Sequence, residues 1–227
     1  MKNKISENII LVDKPKGITS FDVIRILRRD LGIKKMGHAG TLDPLATGLM
    51  IIGINDGTKK MEQFLKLDKS YEAEILLGTK TDTGDLEGEV IETHEITNIE
   101  EDYIEEVIRN FHGEFDIPVP KYSAIKKDGK ALYEYAREGT EVEIPVKKMK
   151  VYKSEFRGIE ETEEGFILKV NFDVASGVYI RSLVEFIGNF LDTPATLANL
   201  RRTKIGEYDL KGAKKLDTKG FSGRPKG

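Results

Sequence analysis

The chain predicts an α+β fold, with residues 1–210 as one domain and 211–227 as a basic tail, and three patterns carry that reading. Residues 165–175 alternate: Phe166, Leu168, Val170, Phe172 and Val174 face one way, and Ile167, Lys169, Asn171, Asp173 and Ala175 the other, which is the period of a strand. Residues 48–54 are a short continuous apolar run, as expected of an interior strand. Residues 20–31 instead place Phe21, Ile24, Leu27 and Leu31 at helical spacing, with Arg25, Arg28 and Arg29 largely off that face.

The remaining elements follow in order. Residues 8–13 read as a short strand closed by the turn Lys14-Pro15-Lys16-Gly17, and Thr19 or Ser20 caps the first helix. Residues 58–67 read as a short helix, 71–77 as a strand and 78–88 as a polar, turn-rich stretch. Thr97 with Glu100, or Asn98 with Glu101, offers a capping box for a helix whose stripe is Tyr103, Ile104, Val107, Ile108 and Phe111. Residues 113–150 are less regular and rich in Lys and Tyr, with a helix over about 130–138 ended by Gly139. Ser176-Gly177 opens a helix that turns Ile180, Leu183, Val184, Ile187 and Leu191 inward. No internal repeat or linker interrupts this pattern.

Composition narrows the chemistry. With no Cys, disulfides, a thiol nucleophile and cysteine-ligated zinc are excluded, and a reducing cytoplasm is the expected location. His38, His94 and His112 have no metal-ligand spacing, so no metal is expected. The apolar run at 49–54 is far too short to span a membrane, and that at 9–12 too short for a signal peptide. A net charge of −3 argues against nucleic acid until its distribution is read. Residues 1–70 carry 13 basic and 8 acidic side chains, 117–159 carry 10 and 6, and 201–227 carry 9 and 3. Residues 71–116 carry 2 and 15. Charge runs are usually solvated faces, but these basic blocks coincide with the segments carrying motifs, which points to a phosphate-binding surface.

The most informative segment is Gly37-His38-Ala39-Gly40-Thr41-Leu42-Asp43-Pro44-Leu45-Ala46-Thr47-Gly48. Asp43 is the only carboxylate between Asp30 and Asp56, in a glycine-bounded loop leading into an apolar strand. Pro44 biases it away from helical backbone. An Asp-Pro pair alone is ordinarily a turn opener.

The whole run, however, closely resembles the catalytic loop of the TruB-type tRNA pseudouridine synthases, in which the Asp of LDP is the essential nucleophile. Further similar elements occur in the family's order: Asp13-Lys14-Pro15-Lys16-Gly17-Ile18-Thr19-Ser20; Lys69-Ser70-Tyr71 with the Leu77–Asp85 stretch; Tyr122-Ser123-Ala124-Ile125-Lys126 with Leu132-Tyr133; Ser176-Gly177-Val178-Tyr179-Ile180-Arg181; and Leu200-Arg201-Arg202-Thr203. Two departures stand out. Ile117-Pro118-Val119-Pro120 replaces the family's Gln and Pro-Pro, and the chain stops soon after the Arg-Arg-Thr element, where many members continue into a PUA-type RNA-binding domain.

The resemblance implies a pseudouridine synthase fold, a mixed and mostly antiparallel central sheet flanked by helices with the catalytic cleft across it. It implies isomerisation of the T-loop uridine, position 55 of conventional tRNA numbering, with the tRNA T arm as partner. No cofactor, metal, membrane or protein partner is expected, and the chain is expected to be a monomer. Asp43, Tyr71 and Arg181 are the expected catalytic residues: Asp43 the carboxylate, Arg181 its guanidinium partner, Tyr71 a surface for the loose base. His38, Lys59, Asp85, Tyr179 and Arg202 are the expected RNA contacts, His38 by stacking where a nucleotide has been extruded, and residues 113–153 the RNA-gripping segment. Three roles of Asp43 are compatible with the residues: attack at C1′, attack at C6, or removal of a C2′ proton. The alternative is a tRNA-binding RNA chaperone with catalysis secondary.

Overall fold

A computed structural model describes residues 8–218. In chain order the elements are β1 (Ile9–Lys14), α1 (Ser20–Leu31), β2 (Met36–His38), β3 (Thr47–Ile54), a 3-10 helix (Asn55–Lys60), α2 (Met61–Leu65), β4 (Lys69–Leu77), β5 (Thr79–Thr81) and β6 (Val90–Thr93). These are followed by α3 (Glu101–Asn110), β7 (Gly113–Pro118), β8 (Lys126–Lys127), β9 (Lys130–Ala131), α4 (Leu132–Arg137), β10 (Val146–Thr162), β11 (Gly165–Val174), α5 (Ile180–Phe190), β12 (Ala195–Ile205), β13 (Tyr208–Asp209) and β14 (Lys214–Lys215). Most strand pairings are antiparallel, and with five α-helices among the described residues the architecture is α+β. The described residues fall into two compact units, one from residues 8–72 and 200–218, the other from 73–199.

In the first unit β1 runs antiparallel to β3, pairing Ile9 with Gly53 through Lys14 with Gly48. The other edge of β3 meets β12 in parallel, Arg201 opposite Thr47 and Arg202 opposite Gly48. Ile9, Leu11, Leu49, Ile51, Met61 and Ile205 form the apolar core on this sheet. Helix α1 begins where the sequence places it. Thr19 Oγ1 accepts from the Asp22 amide at 3.1 Å and the Asp22 carboxylate accepts from the Thr19 amide at 2.9 Å, satisfying two orphan donors of the first turn. Gly32, in the left-handed region, ends it. The first part of the expected tail is a strand: Lys214 and Lys215 pair in parallel with Val12 and Asp13. Residues 219–227 of that tail lie outside the described residues.

In the second unit β10 pairs antiparallel with both β11 and β7. Leu168, Val170, Phe172 and Val174 of β11 are all buried, as the alternation predicts. Phe111, Phe115, Phe186 and Phe190 pack ring against ring between α5 and β7, and Ser154 Oγ donates to the Ile108 and Phe111 carbonyls at the end of α3. Three local readings needed correction. The α3 capping box does not form, because the N-cap is Glu100 and makes no side-chain cap. The β10 strand is 17 residues long, although its first residues read as irregular; its two register shifts break the alternation that would have revealed it. The helix expected over 130–138 is shortened to Leu132–Arg137 by a hairpin in front, whose turn residues Asp128 and Gly129 both have positive φ, 51° and 84°.

Candidate active site and RNA interface

The Asp43 loop is held by the residues that precede it in the first unit. Lys14, at the end of β1, is fully buried, and its Nζ donates to Pro15 O at 3.1 Å, Pro44 O at 3.3 Å and Ala46 O at 2.6 Å. A buried ammonium is tolerated only with such partners. Ser20 Oγ donates to Leu42 O at 2.9 Å and accepts from the Leu42 amide at 2.8 Å, while the Gly17 amide donates to Pro44 O at 2.8 Å. The backbone on both sides of Asp43 is thereby pinned to the end of β1 and the start of α1, and the Asp43 side chain is left half-buried. Sequence reading placed Lys14 in a turn and offered Ser20 as a helix cap, and assigned neither a part in holding this loop. Their signal was a lysine and a serine bracketing a Pro/Gly turn in a matched motif.

Arg202 is enclosed under the loop. Read as an RNA contact, it is 1% exposed. Its Nε donates to Leu49 O at 2.7 Å, Nη2 to Gly40 O at 3.1 Å and Nη1 to Thr41 O at 3.5 Å, so its donors face the loop's own carbonyls. His38 ends β2 opposite Ile52 and is half-buried. Burial, and then the nearby Arg202 charge, hold its imidazole pKa below the ordinary value, against the Gly40 backbone, which raises it. Tyr71 lies buried on β4, 8% exposed. On the same strand Lys69 closes α2 by donating to Leu65 O at 2.7 Å and Leu67 O at 2.6 Å, and burial with the Arg202 charge lowers its pKa to about 8. Lys59 stands on the 3-10 helix with its side chain 75% exposed, paired with Asp56 at 2.9 Å, an arrangement open to a phosphate.

In the second unit Arg181, in the first turn of α5, is 7% exposed. Its Nη1 donates to Thr83 O at 2.8 Å and Nη2 to Tyr122 O at 3.0 Å, and Nε lies 3.7 Å from Asp85 Oδ2. Asp85, also read as an RNA contact, is turned inward and 4% exposed, accepting from Thr83 Oγ1 at 2.8 Å and the Glu87 amide at 3.0 Å. Its geometry supports Arg181 from inside. Tyr179 is the half-buried N-cap of α5, with Lys147 Nζ 6.0 Å from its ring centre. A cleft of about 1090 Å³ runs past Arg181, bordered by Lys80, Lys121, Tyr122 and Glu185 and by residues 139–144. Burial, reinforced by Asp82, raises the Tyr122 phenol, and burial raises the Glu185 carboxyl against the pull of Lys80, Arg181 and Lys121.

Comparison with known proteins gives a consistent answer. Residues 28–180 match the family model described as TruB family pseudouridylate synthase (N terminal domain). A tRNA pseudouridine synthase B of Endomicrobium trichonymphae is 43% identical over 91% of this chain and 88% of its own length, and one of Aromatoleum aromaticum is 40% identical over 92% and 66%. Among solved structures, a Cbf5-Nop10-Gar1 complex aligns with a TM-score of 0.69 at 28% identity, and the archaeal box H/ACA sRNP Nop10-Cbf5 complex with 0.66 at 27%. Each alignment covers 92% of this chain but only about half of the solved one, 52% and 51%. A loop with one lysine-, serine- and arginine-anchored aspartate, set in an α+β fold of this similarity, leads to one assignment: the chain belongs to the TruB family of pseudouridylate synthases, which are isomerases.

Proposed function

We propose that the protein converts uridine to pseudouridine in tRNA, at the T-loop uridine, with Asp43 as the reacting carboxylate. The observation that carries this is the anchoring of the Asp43 loop: Leu42, Pro44 and Ala46 are each hydrogen-bonded to buried or half-buried groups, which holds the one loop carboxylate in a set position. Preorganised geometry of this kind lowers the entropic part of a barrier. The reaction breaks the N1–C1′ bond, turns the base, joins C5 to C1′, and moves the C5 proton off carbon while N1 regains one. No electron is gained or lost overall.

In this reading Arg181 is the guanidinium partner of the reacting carboxylate, and the Thr83 and Tyr122 carbonyls with Asp85 fix its planar fork. Tyr71 provides a surface for the detached base. His38, kept neutral near pH 7 by its lowered pKa, stacks where the uridine has left the loop. Lys59 and Tyr179 contact RNA, and the cleft beside residues 139–144 takes part of the T arm. Extruding a loop uridine costs a few kcal/mol, least where stacking is already weak.

The test is tritium release from C5-labelled uridine in a T-arm stem-loop. The protein should release it, and Asp43→Asn should release none while binding the RNA with near-unchanged affinity. Release by the Asn variant at a comparable rate would remove Asp43 from the chemistry, and binding without release by the unsubstituted protein would favour a chaperone.

A further inference from the structure

Arg202 occupies an unusual position for an arginine in an RNA-modifying chain: it lies beneath the catalytic loop. We propose that Arg202 is a positioning residue, which sets the placement of the Asp43 carboxylate by tying the two ends of its loop together and makes no contact with RNA. The inference rests on the function proposed above.

Two independent features fix the side chain. Its backbone is the parallel partner of Gly48, and the strands approach so closely there that a Cβ on Gly48 would lie 2.3 Å from Arg202 O and 2.8 Å from Arg202 N. The Cα of Arg202 is therefore held against the residue where the loop becomes β3. From that point the guanidinium reaches Leu49 O after Asp43 and the Gly40 and Thr41 carbonyls before it. Gly40 has a φ of 92°, which turns its carbonyl, and a Cβ there would come within 3.4 Å of Nη1. A planar fork directs donors from three separate nitrogens at fixed angles, which fits three carbonyls spread around it, whereas an ammonium offers its donors from a single nitrogen at the end of a flexible stem. Those carbonyls are also loop backbone groups that need partners once buried. The same cation acts on His38 and Lys69, lowering the pKa of both, so its loss is visible at neighbours that do not themselves clamp the loop.

The test uses the full chain. Arg202→Gln should lower the single-turnover rate of tritium release at saturating T-arm RNA by about tenfold to hundredfold, the scale of small misplacements of a reacting group. The Kd for the same RNA should stay within about twofold, because a group that touches no phosphate contributes nothing to counterion release. Arg202→Lys should fall between, since one donor nitrogen replaces three. In an NMR titration the His38 pKa should rise in the Gln variant, as the opposing charge is gone. In the unsubstituted protein the Arg202 Nε–H signal should be slow to exchange and unmoved by added RNA, a measurement that holds even if the variants fold poorly. Weakened RNA binding at an unchanged single-turnover rate, or an Arg202 Nε–H that shifts or exchanges fast with RNA, would overturn the proposal and return Arg202 to the RNA surface. Lack of release by the unsubstituted protein would instead count against the proposed function, and the Nε–H protection would still report on the clamp.

Discussion

Gly48→Ala should be among the most damaging single-methyl changes in this protein. Gly48 has a φ of 103°, a conformation that side chains rarely adopt, and the added Cβ would sit 2.3 Å from Arg202 O, 2.8 Å from Arg202 N and 3.0 Å from Arg202 C. Carbon–oxygen contacts closer than about 3.3 Å are uncommon, so β12 must retreat from β3 by about 1 Å. The backbone conformation costs about 1–3 kcal/mol in a non-glycine residue. Overpacking against rigid backbone adds about 1–3 kcal/mol. A combined loss of about 2–6 kcal/mol is expected. Urea denaturation followed by circular dichroism measures it. Gly32→Ala is the control: its φ is 67° and nothing lies within 4 Å of the added carbon, so only the conformational cost of about 1 kcal/mol remains. Because the same contact seats Arg202, the Gly48→Ala single-turnover rate should fall further than its RNA affinity. Equal stability losses in the two variants, with the rate intact in both, would refute the close-approach reasoning.

Arg181→Lys should lower single-turnover release by about 10²-fold or more, since the ammonium cannot reproduce contacts to Thr83 O, Tyr122 O and Asp85 together; a near-unsubstituted rate would make the fork dispensable. RNA binding should weaken steeply with salt despite the sequence pI of 5.8, with a slope of log K against log salt of about −0.7 per phosphate neutralised on single strands. A flat dependence would leave stacking as the source of affinity. Lys69 predicts an alkaline gain in stability. Its pKa is lowered from 10.5 to about 8, so between those values the unfolded chain binds more protons than the folded one, and stability rises with pH through that window. Measured as the difference in urea midpoint between the protein and Lys69→Met, that advantage should grow from pH 8 to pH 10, and a constant difference would show the ammonium to be better solvated than its burial implies.

Much of the fold was legible because it is written in local terms. The first helix was readable from Thr19 and the spacing of Ile24 and Leu27, and the capping box that forms depends only on residues three apart. Strand β11 alternates cleanly because one of its faces is the core of its unit. The β10 strand was legible only in part, since its Lys- and Glu-rich side is solvated and its bulges reverse the alternation midway. The α3 cap misled because Thr97 and Asn98 have the chemistry of a cap, yet the helix starts at Glu101.

At the site, the sequence by itself determined which carboxylate stands in the glycine-bounded loop and which motifs accompany it, because a run such as GHAGTLDPLATG leaves little freedom of interpretation. It could not say what Arg202 and Asp85 do. Both stand in matched motifs as charged residues, and a charged residue read along a chain looks like a surface group. Only the folded chain brings Arg202 under Gly40, Thr41 and Leu49, and turns Asp85 toward Thr83 and Arg181. Partners more than 90 positions away in sequence decide whether a charge is solvated or enclosed, as with Arg202 and Gly40 or Arg181 and Thr83. An enclosed charge must direct its hydrogen bonds to the protein itself, and that requirement turns Arg202 and Asp85 toward their neighbours in the fold, an orientation which their chemistry alone left open.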